Sequence, residues 1–245
     1  MLSATNEYVD FPSTPHIYVD SHFGHKEMHS FYTDKESTKL LAGKKVNLEE
    51  KLDGSNVGIS FMDWELSLQS RKHKIGNHAQ YDLLKNWSQV MAEHFKRTIG
   101  NKYVVFGEWM FAKHTLEYDA LPHYFIGTGV WDKEEGRPIS TDRRYALFEE
   151  LGIPHSPMIY SGEVSGYKHL NSFMNINSEF GPNRIEGLYG RIEKDGGVEA
   201  YFKLVDKEFW NLRRQTQQKF PKIPIPNKLI EDMNIVDLFN VPMLV

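Results

Sequence analysis

Residues 49–56 read Glu-Glu-Lys-Leu-Asp-Gly-Ser-Asn, and this stretch is the most informative part of the chain. It places Lys51 at the end of one predicted strand, directly before a tight Asp-Gly turn that leads into a second strand. A lysine between two segments that should be buried is costly unless it has a partner or a chemical task. Lys51 is therefore either paired with a neighbouring glutamate while its stem snorkels from the strand end, or a nucleophile activated by its surroundings.

The composition is that of an ordinary globular protein, and it excludes several kinds of site. The 245 residues carry 29 Lys and Arg against 33 Asp and Glu, a net charge of −4, with no cysteine. This length predicts one large domain, and the lack of cysteine excludes disulfides, thiolate nucleophiles and Cys-ligated zinc. The mild negative charge argues against a general polyanion-coating protein but allows a local basic groove. With no long apolar run and no basic leader, we expect an unprocessed cytoplasmic protein without membrane contact.

Hydrophobic periodicity predicts a mixed α+β chain. The first predicted strands, expected to be adjacent and antiparallel, are Lys45–Glu50, Asn56–Met62 and Glu65–Arg71. Further strands are predicted over Tyr103–Met110, Tyr124–Trp131, Gly187–Glu193 and Val198–Val205, the last two joined by the turn Asp195-Gly196-Gly197. Apolar residues spaced by three and four predict a helix between Gln80 and Thr98. Other helices are predicted over Thr141–Leu151, Ser165–Asn175 and Asp206–Phe220.

Five further motifs follow Lys-x-Asp-Gly in order, each on a predicted strand or strand end. They are Ser70-Arg71, Phe106-Gly107-Glu108-Trp109, Tyr124-Phe125, Glu186-Gly187-Leu188 and Phe202-Lys203-Leu204. Each motif alone occurs by chance in many proteins, whereas the ordered set is specific. With the Phe-Pro-Ser-Thr-Pro-His segment at 11–16, the series resembles the RNA ligase family of the covalent nucleotidyltransferase superfamily, in particular the group of RNA ligase 2 and the RNA-editing ligases.

The resemblance covers about residues 8–210 and implies an ATP-grasp-like adenylylation domain of antiparallel sheets flanked by helices. We therefore expect a nucleotidyltransferase domain over 1–205 and a short basic helix and tail over 206–245. DNA ligases and capping enzymes carry an oligonucleotide-binding barrel after the last lysine motif. The 40 residues after Val205 are too few for that barrel, which argues against both classes.

By resemblance, the chain is an ATP-dependent RNA ligase that uses ATP and Mg²⁺ or Mn²⁺. Lys51 would attack the α-phosphorus of ATP, expel pyrophosphate and hold AMP; the AMP would cap a 5′-phosphate end, and a 3′-hydroxyl would displace it. The expected partners are RNA ends, in single strands or a nicked duplex, with a protein partner as a source of RNA specificity and a monomeric chain. The alternatives are a DNA or mixed DNA/RNA nick ligase, a guanylyltransferase, and a nucleotide-binding module without turnover.

The resemblance also assigns the site residues. The catalytic set is Lys51, Asp53, Lys203 and Glu186, with Glu186 as the metal ligand. The nucleotide-binding set is Glu49, Glu50, Lys51, Gly54, Ser55, Asn56, Arg71, Glu108, Phe125 and Lys203. Carboxylates suit a hard divalent cation, and the arginine fork suits phosphate or ribose oxygens.

Within these sets, several roles follow from the resemblance. Glu49 or Glu50 would read the adenine edge or tune Lys51, and Glu108 would accept a hydrogen bond from a ribose hydroxyl. Phe125 would stack on the adenine, although Tyr124 remains an alternative because Thr128-Gly129 stands where relatives often have Phe-Asp.

The segment Lys203–Lys222 is rich in basic residues. Relatives commonly carry a second lysine at the position of Val205, so Lys207 or another cation is expected to replace it. We also expect the helix in this segment to bind RNA, so that charge reversal of Arg213 and Arg214 would weaken joining but spare adenylylation.

Overall fold

The computed structural model describes residues 8–11, 13–18, 30–71, 73–216 and 223–240. Within these ranges the chain forms ten strands and six α-helices. The strands are β1 (Lys45–Lys51), β2 (Ser55–Met62), β3 (Glu65–Ser70), β4 (His73–Lys74), β5 (Tyr103–Trp109), β6 (Phe125–Asp132), β7 (Arg137–Pro138), β8 (Met158–Glu163), β9 (Gly187–Lys194) and β10 (Gly197–Val205). The helices are α1 (Asp34–Leu41), α2 (Asp82–Val90), α3 (Ala92–Ile99), α4 (Thr141–Leu151), α5 (Tyr167–Ser172) and α6 (Lys207–Thr216). None of these helices has the length and apolar character needed to cross a bilayer.

The strands form two antiparallel sheets, which confirms the predicted α+β architecture. The first has the order β10-β9-β1-β8 and the second the order β4-β3-β2-β5-β6-β7. β2 and β3 pair as predicted, but β1 lies in the other sheet, so the expectation of three adjacent strands is wrong. Both edges of β1 are already filled, by β8 and β9. The Asp-Gly turn after Lys51 therefore carries the chain from one sheet to the other.

The predicted hairpin and helices differ from the structure mainly at their ends. Asp195 and Gly196 take positive φ values of 51° and 72°, which is the turn geometry expected between β9 and β10. The helix predicted between Gln80 and Thr98 is divided at Met91 into α2 and α3, preceded by a 3₁₀ turn. α6 ends at Thr216, and residues 217–222 of the predicted helix lie outside the described residues.

Two hydrophobic cores leave a cavity between the sheets. The larger core packs the apolar stripe of α2 and α3, including Trp87 and Phe95, against the second sheet. The smaller core lies against the first sheet around Leu48, Leu188 and Phe202. Polar side chains of both sheets line the cavity, and burying so many polar groups is costly unless a ligand uses them.

Candidate active site

The cavity has a volume of about 700 Å³ and contains most of the predicted site residues. Those that line it are Glu49, Glu50, Lys51, Asn56, Arg71, Glu108, Glu186 and Lys203. Asp53, Gly54, Ser55 and Phe125 do not line it. The volume falls within the roughly 300–1,000 Å³ that is typical of small-molecule sites.

Lys51 forms an ion pair at the centre of the cavity. Its Nζ lies 2.7 Å from Oε1 of Glu186, whose side chain is 4% exposed. Burial alone would lower the pKa of Lys51, but the negative charges of Glu186, Glu108 and Asp53 outweigh burial and raise that pKa. The resting lysine is therefore an ammonium ion, which cannot attack an electrophile until it loses a proton.

Three acidic residues, Glu186, Glu108 and Asp53, lie close enough to Lys51 to affect its pKa. Burial, as the main cause, raises the pKa of Glu186 to about 7 and that of Glu108 to about 8. Oε2 of Glu186 is buried and has no hydrogen-bond partner in the described part of the chain. That oxygen fits a hard divalent cation, whose charge would favour the ionised form of these acids. The described residues contain no group of three or more potential protein ligands, so substrate oxygens and water would have to complete such a site.

Asp53 and Gly54 shape the turn after Lys51 from outside the cavity. The Asp53 carboxylate accepts hydrogen bonds from the backbone N–H groups of Thr115 and Leu116, at 2.8 and 2.9 Å, and so fixes the loop after β5. At Gly54, an added Cβ would lie 2.6 Å from Sδ of Met110, so only glycine fits without displacing its neighbour. Both residues position Lys51 through the backbone.

The two residues after the turn point in different directions. The Ser55 hydroxyl contacts Gln80, at 3.2 Å, and Nε2 of His114, at 3.3 Å, away from the cavity. Asn56 lines the cavity and pairs across the sheet with Glu108, with which it shares a side-chain hydrogen bond. Only Asn56 of this pair is therefore placed to contact a ligand in the cavity.

Cations line one part of the cavity, its cationic side, and they include Lys203 and Arg71. Burial, followed by the charge of Lys51, lowers the pKa of Lys203 to about 8. The exposed Arg71 also lines this side, in a left-handed backbone conformation with φ 51°. His16 is neutral here, because burial and the charges of Lys203 and Lys51 lower its pKa to about 3. This side is suited to phosphate groups.

Glu49 belongs to a buried ionic cluster at the other end of the cavity. Arg144 and Arg191, each 1% exposed, contact its two carboxylate oxygens, and the Tyr145 hydroxyl donates to Oε1 at 2.6 Å. Burial favours the neutral acid, but the two arginines lower the pKa of Glu49 to about 2. Both arginines also donate to the carbonyl of Thr128, in the second sheet. The cluster therefore joins the two sheets, and the prediction that Glu49 reads the base does not fit its geometry.

Glu50 faces away from that cluster. Its Oε2 accepts a hydrogen bond from the backbone N–H of Glu179, while its Oε1 is buried without a partner among the described residues. Burial, as the largest cause, raises the pKa of Glu50 to about 7. Of the two predicted base readers, only Glu50 keeps an acceptor oxygen.

The predicted base-stacking role of Phe125 is wrong, because its ring is in the hydrophobic core. Phe125 is 0% exposed, lies 5.4 Å from Trp87 between ring centroids, and packs under Gly107. The alternative, Tyr124, is also buried, and its hydroxyl donates to the carbonyl of Asn227 at 2.9 Å. Neither ring reaches the cavity.

Phe11 supplies an aromatic surface that the sequence prediction missed. Its ring lines the cavity and lies 4.7 Å from Phe106 and 5.5 Å from Tyr201 between centroids. It occupies the space that a side chain at Gly129 would need, since an added Cβ there would lie 2.9 Å from the Phe11 ring. The glycine after Thr128 is the sequence signal that could have indicated this close approach.

The structure also changes the interpretation of α6. Trp210, Arg213 and Arg214 line the same cavity as Lys51, whereas Lys207 does not. The helix is therefore part of the cavity mouth, and charge reversal of its arginines is no longer expected to spare a reaction of Lys51. Lys219 and Lys222 of the predicted basic segment lie outside the described residues.

Comparison with known proteins identifies the family of the chain and proteins that share its fold. The sequence profile of a family described as RNA ligase matches residues 44–205, which contain Lys51, Glu108, Glu186 and Lys203. No curated protein sequence matches the chain.

Several solved structures share the fold. A mutant of the Naegleria gruberi RNA ligase with ATP and Mn is 14% identical, with a TM-score of 0.56 over 72% of this chain and 53% of that one. The same ligase with PPi is 17% identical, with a TM-score of 0.57 over 71% and 52%. An archaeal ATP-dependent RNA ligase is 16% identical, with a TM-score of 0.53 over 80% and 48%. The chain spans about half the length of each of these proteins.

Proposed function

The chain belongs to the RNA ligase family, and we propose that it is an ATP-dependent RNA ligase that acts through a lysyl-AMP intermediate on Lys51. The observation that carries this proposal is the placement of Lys51. Its amine is paired with the buried acid Glu186 and shares with Lys203 and Arg71 a cavity large enough for a nucleotide. A nucleophile facing phosphate-binding cations is the arrangement that nucleotidyl transfer requires.

In the first step, the Lys51 nitrogen would form a bond to the α-phosphorus of ATP as the bond from that phosphorus to the bridging oxygen breaks. Pyrophosphate leaves with the electron pair, and the ammonium proton of Lys51 must first pass to water or to the paired Glu186 carboxylate. Glu186 holds that ammonium in place, and Lys203 offsets charge on the phosphate oxygens. Oε2 of Glu186 would hold a divalent cation, which would neutralise carboxylate and phosphate charge when bound.

The nucleobase would lie at the end of the cavity between Phe11 and Thr128. Both residues line the cavity there, on the far side of the second sheet from the buried Phe125. Any base can stack on an aromatic ring, so Phe11 would contribute affinity for the nucleobase.

Phe11→Ala is expected to weaken ATP use by about 5-fold to 150-fold in KM, since a base–aromatic stack contributes about 1–3 kcal/mol. The rate at saturating ATP should change little, because Phe11 does not contact the groups around Lys51. Initial rates of lysyl-AMP formation against ATP concentration measure both quantities. As a control, Phe125→Leu should lower stability but leave the KM for ATP near the native value; a larger effect on KM at Phe125 than at Phe11 would reverse the assignment.

The later steps use the same cavity in this proposal. A 5′-phosphate end would meet Arg71 and Asn56 at the cationic side, and the AMP held by Lys51 would be transferred to it. A 3′-hydroxyl would then attack the phosphorus of the capped end, and AMP would leave. The Glu108 carboxyl, hydrogen-bonded to Asn56, would accept a hydrogen bond from a ribose hydroxyl.

We also propose a division of the chain into an adenylylation domain over 1–205 and a C-terminal extension over 206–245. In support of this, residues after α6 return to the surface of the domain, where the buried Asn227 side chain contacts the backbone of Met110 and Tyr118. The extension would thus be packed on the domain rather than folded independently.

Joining assays with defined strands test the proposed substrate class. We expect ATP to support joining of a 5′-phosphate to a 3′-hydroxyl when both strands are RNA, and GTP to fail. The same nicked duplex built with DNA on one or both sides of the break separates an RNA ligase from a DNA or mixed ligase. Equal joining of all-DNA nicks would contradict the RNA assignment, and labelling from GTP alone would indicate a guanylyltransferase.

A further inference from the structure

Helix α6 brings two arginines to the mouth of the cavity. It begins two residues after β10 ends, the strand that carries Lys203. Trp210, Arg213 and Arg214 are spaced by three and four residues, so they share one face of the helix, and all three line the cavity. The ring of Trp210 lies 5.9 Å from His16, and the Arg213 guanidinium lies 5.6 Å from the Trp210 ring.

The start of α6 is fixed to the site by short contacts. The Asp206 backbone N–H donates to the carbonyl of Glu186 at 2.8 Å, and the Asp206 side chain accepts from the N–H groups of Glu208 and Phe209. The Phe209 side chain is 4% exposed and belongs to the larger core. The helix that presents the arginines is therefore anchored beside the acid that pairs with Lys51.

The electrostatic environment places Arg213 close to the groups that handle phosphate. Its positive charge contributes to the lowered pKa of Lys203 and opposes the rise in the pKa of Glu186. Arg71 also lowers the pKa of Lys203. Cations that repel one another across a cavity cost free energy unless an anion lies between them. Val205, two residues after Lys203 in β10, is apolar and also lines the cavity. The additional positive charge therefore comes from Arg213 and Arg214 of α6.

We propose that Arg213 and Arg214 bind the β- and γ-phosphates of ATP and stabilise the departing pyrophosphate during lysyl-AMP formation. This inference rests on the proposed function and adds two phosphate-binding residues to the formation of lysyl-AMP. The guanidinium fork donates to two phosphate oxygens at once and stays charged throughout the reaction. The RNA-binding role predicted for these arginines is replaced by a role in which the helix acts on the nucleotide before RNA is bound.

Two reactions of the same protein separate these roles. Formation of lysyl-AMP from ATP releases pyrophosphate, whereas joining of an RNA that already carries a 5′-AMP cap does not. We expect Arg213→Ala and Arg214→Ala each to slow lysyl-AMP formation by about 10-fold to 150-fold, the size expected for losing a hydrogen bond to a charged group. Joining of the capped RNA should stay within about twofold of native, because that reaction releases no pyrophosphate.

Arg97→Ala is the matched control, since Arg97 is exposed, lies in the last turn of α3 and does not line the cavity. It should leave both reactions at the native rate. Slower joining of capped RNA with unchanged lysyl-AMP formation would overturn the proposal in favour of an RNA-binding helix. Equal loss in both reactions would assign the arginines a structural role and would also overturn it.

Binding of inorganic pyrophosphate gives a readout that does not depend on turnover. Calorimetric titration of native protein should detect binding, and the Arg213→Ala/Arg214→Ala double variant should lose at least about tenfold in affinity. Equal affinity of the two proteins would overturn the proposal. If pyrophosphate binds as expected but native protein takes no label from ATP, the proposed ligase function fails while the phosphate site on α6 stands.

Discussion

Lys51→Ala is expected to reduce ATP-driven RNA joining to the background rate. The variant has no amine at the position where the proposed lysyl-AMP forms, and Lys203, which also lines the cavity, belongs to a different strand. Lys51→Arg should be equally inactive, although it keeps a positive charge beside Glu186. A guanidinium stays protonated and is not a nucleophile, so this variant separates the chemical role of Lys51 from its role as a counter-ion.

Joining of RNA that already carries a 5′-AMP cap is the internal control for these variants. That reaction needs no new bond to Lys51, so Lys51→Arg should retain it far better than it retains ATP-driven joining. The comparison is made by gel assay of both reactions with one protein preparation. ATP-driven joining by Lys51→Ala at the native rate would show that another residue carries the AMP.

Glu49→Gln is expected to lower the free energy of unfolding by about 3–5 kcal/mol. The substitution leaves Arg144 and Arg191 buried without their counter-ion, and breaking a buried ion pair from one side has this cost. Such a loss is a large fraction of the roughly 5–15 kcal/mol that stabilises a typical domain. Urea denaturation followed by fluorescence measures it. The matched control is Glu199→Gln, which removes an exposed ion pair with Lys44 and should cost at most about 1 kcal/mol.

The same cluster predicts a pH dependence. The pKa of Glu49 falls from its ordinary value of 4.5 to about 2 on folding, so its ion pairs stabilise the protein fully above pH 4.5 and are lost as the pH falls towards 2. Native protein should therefore lose stability over this interval by more than Glu49→Gln does. Parallel acid titration curves of the two proteins would contradict the assignment of the charge to Glu49.

The Asp-Gly turn after Lys51 is a local signal that the sequence shows directly. At Gly54 an added Cβ would lie 2.6 Å from Sδ of Met110, so the close approach can be anticipated from the glycine. Glu186 and Lys203 came from the ordered series of motifs, and the structure brings both to the cavity that Lys51 lines.

The errors arise where the relevant contact is distant or the strand is irregular. The register of β5 and β6 shifts between Phe106 and Gly107, so Thr128 is an extra residue and the side chains before and after it do not alternate regularly. Glu49 is bound by Arg144 and Arg191, which are 95 and 142 residues away along the chain. No local pattern indicates such partners.

The most direct test of the central claim is to locate AMP on the protein. Native protein is incubated with ATP labelled at the α-phosphate and a divalent cation, digested under conditions that preserve the phosphoramide bond, and analysed by mass spectrometry. We predict one AMP per chain, attached to Nζ of Lys51. AMP on any other residue, or a native protein that takes no label, would contradict the account.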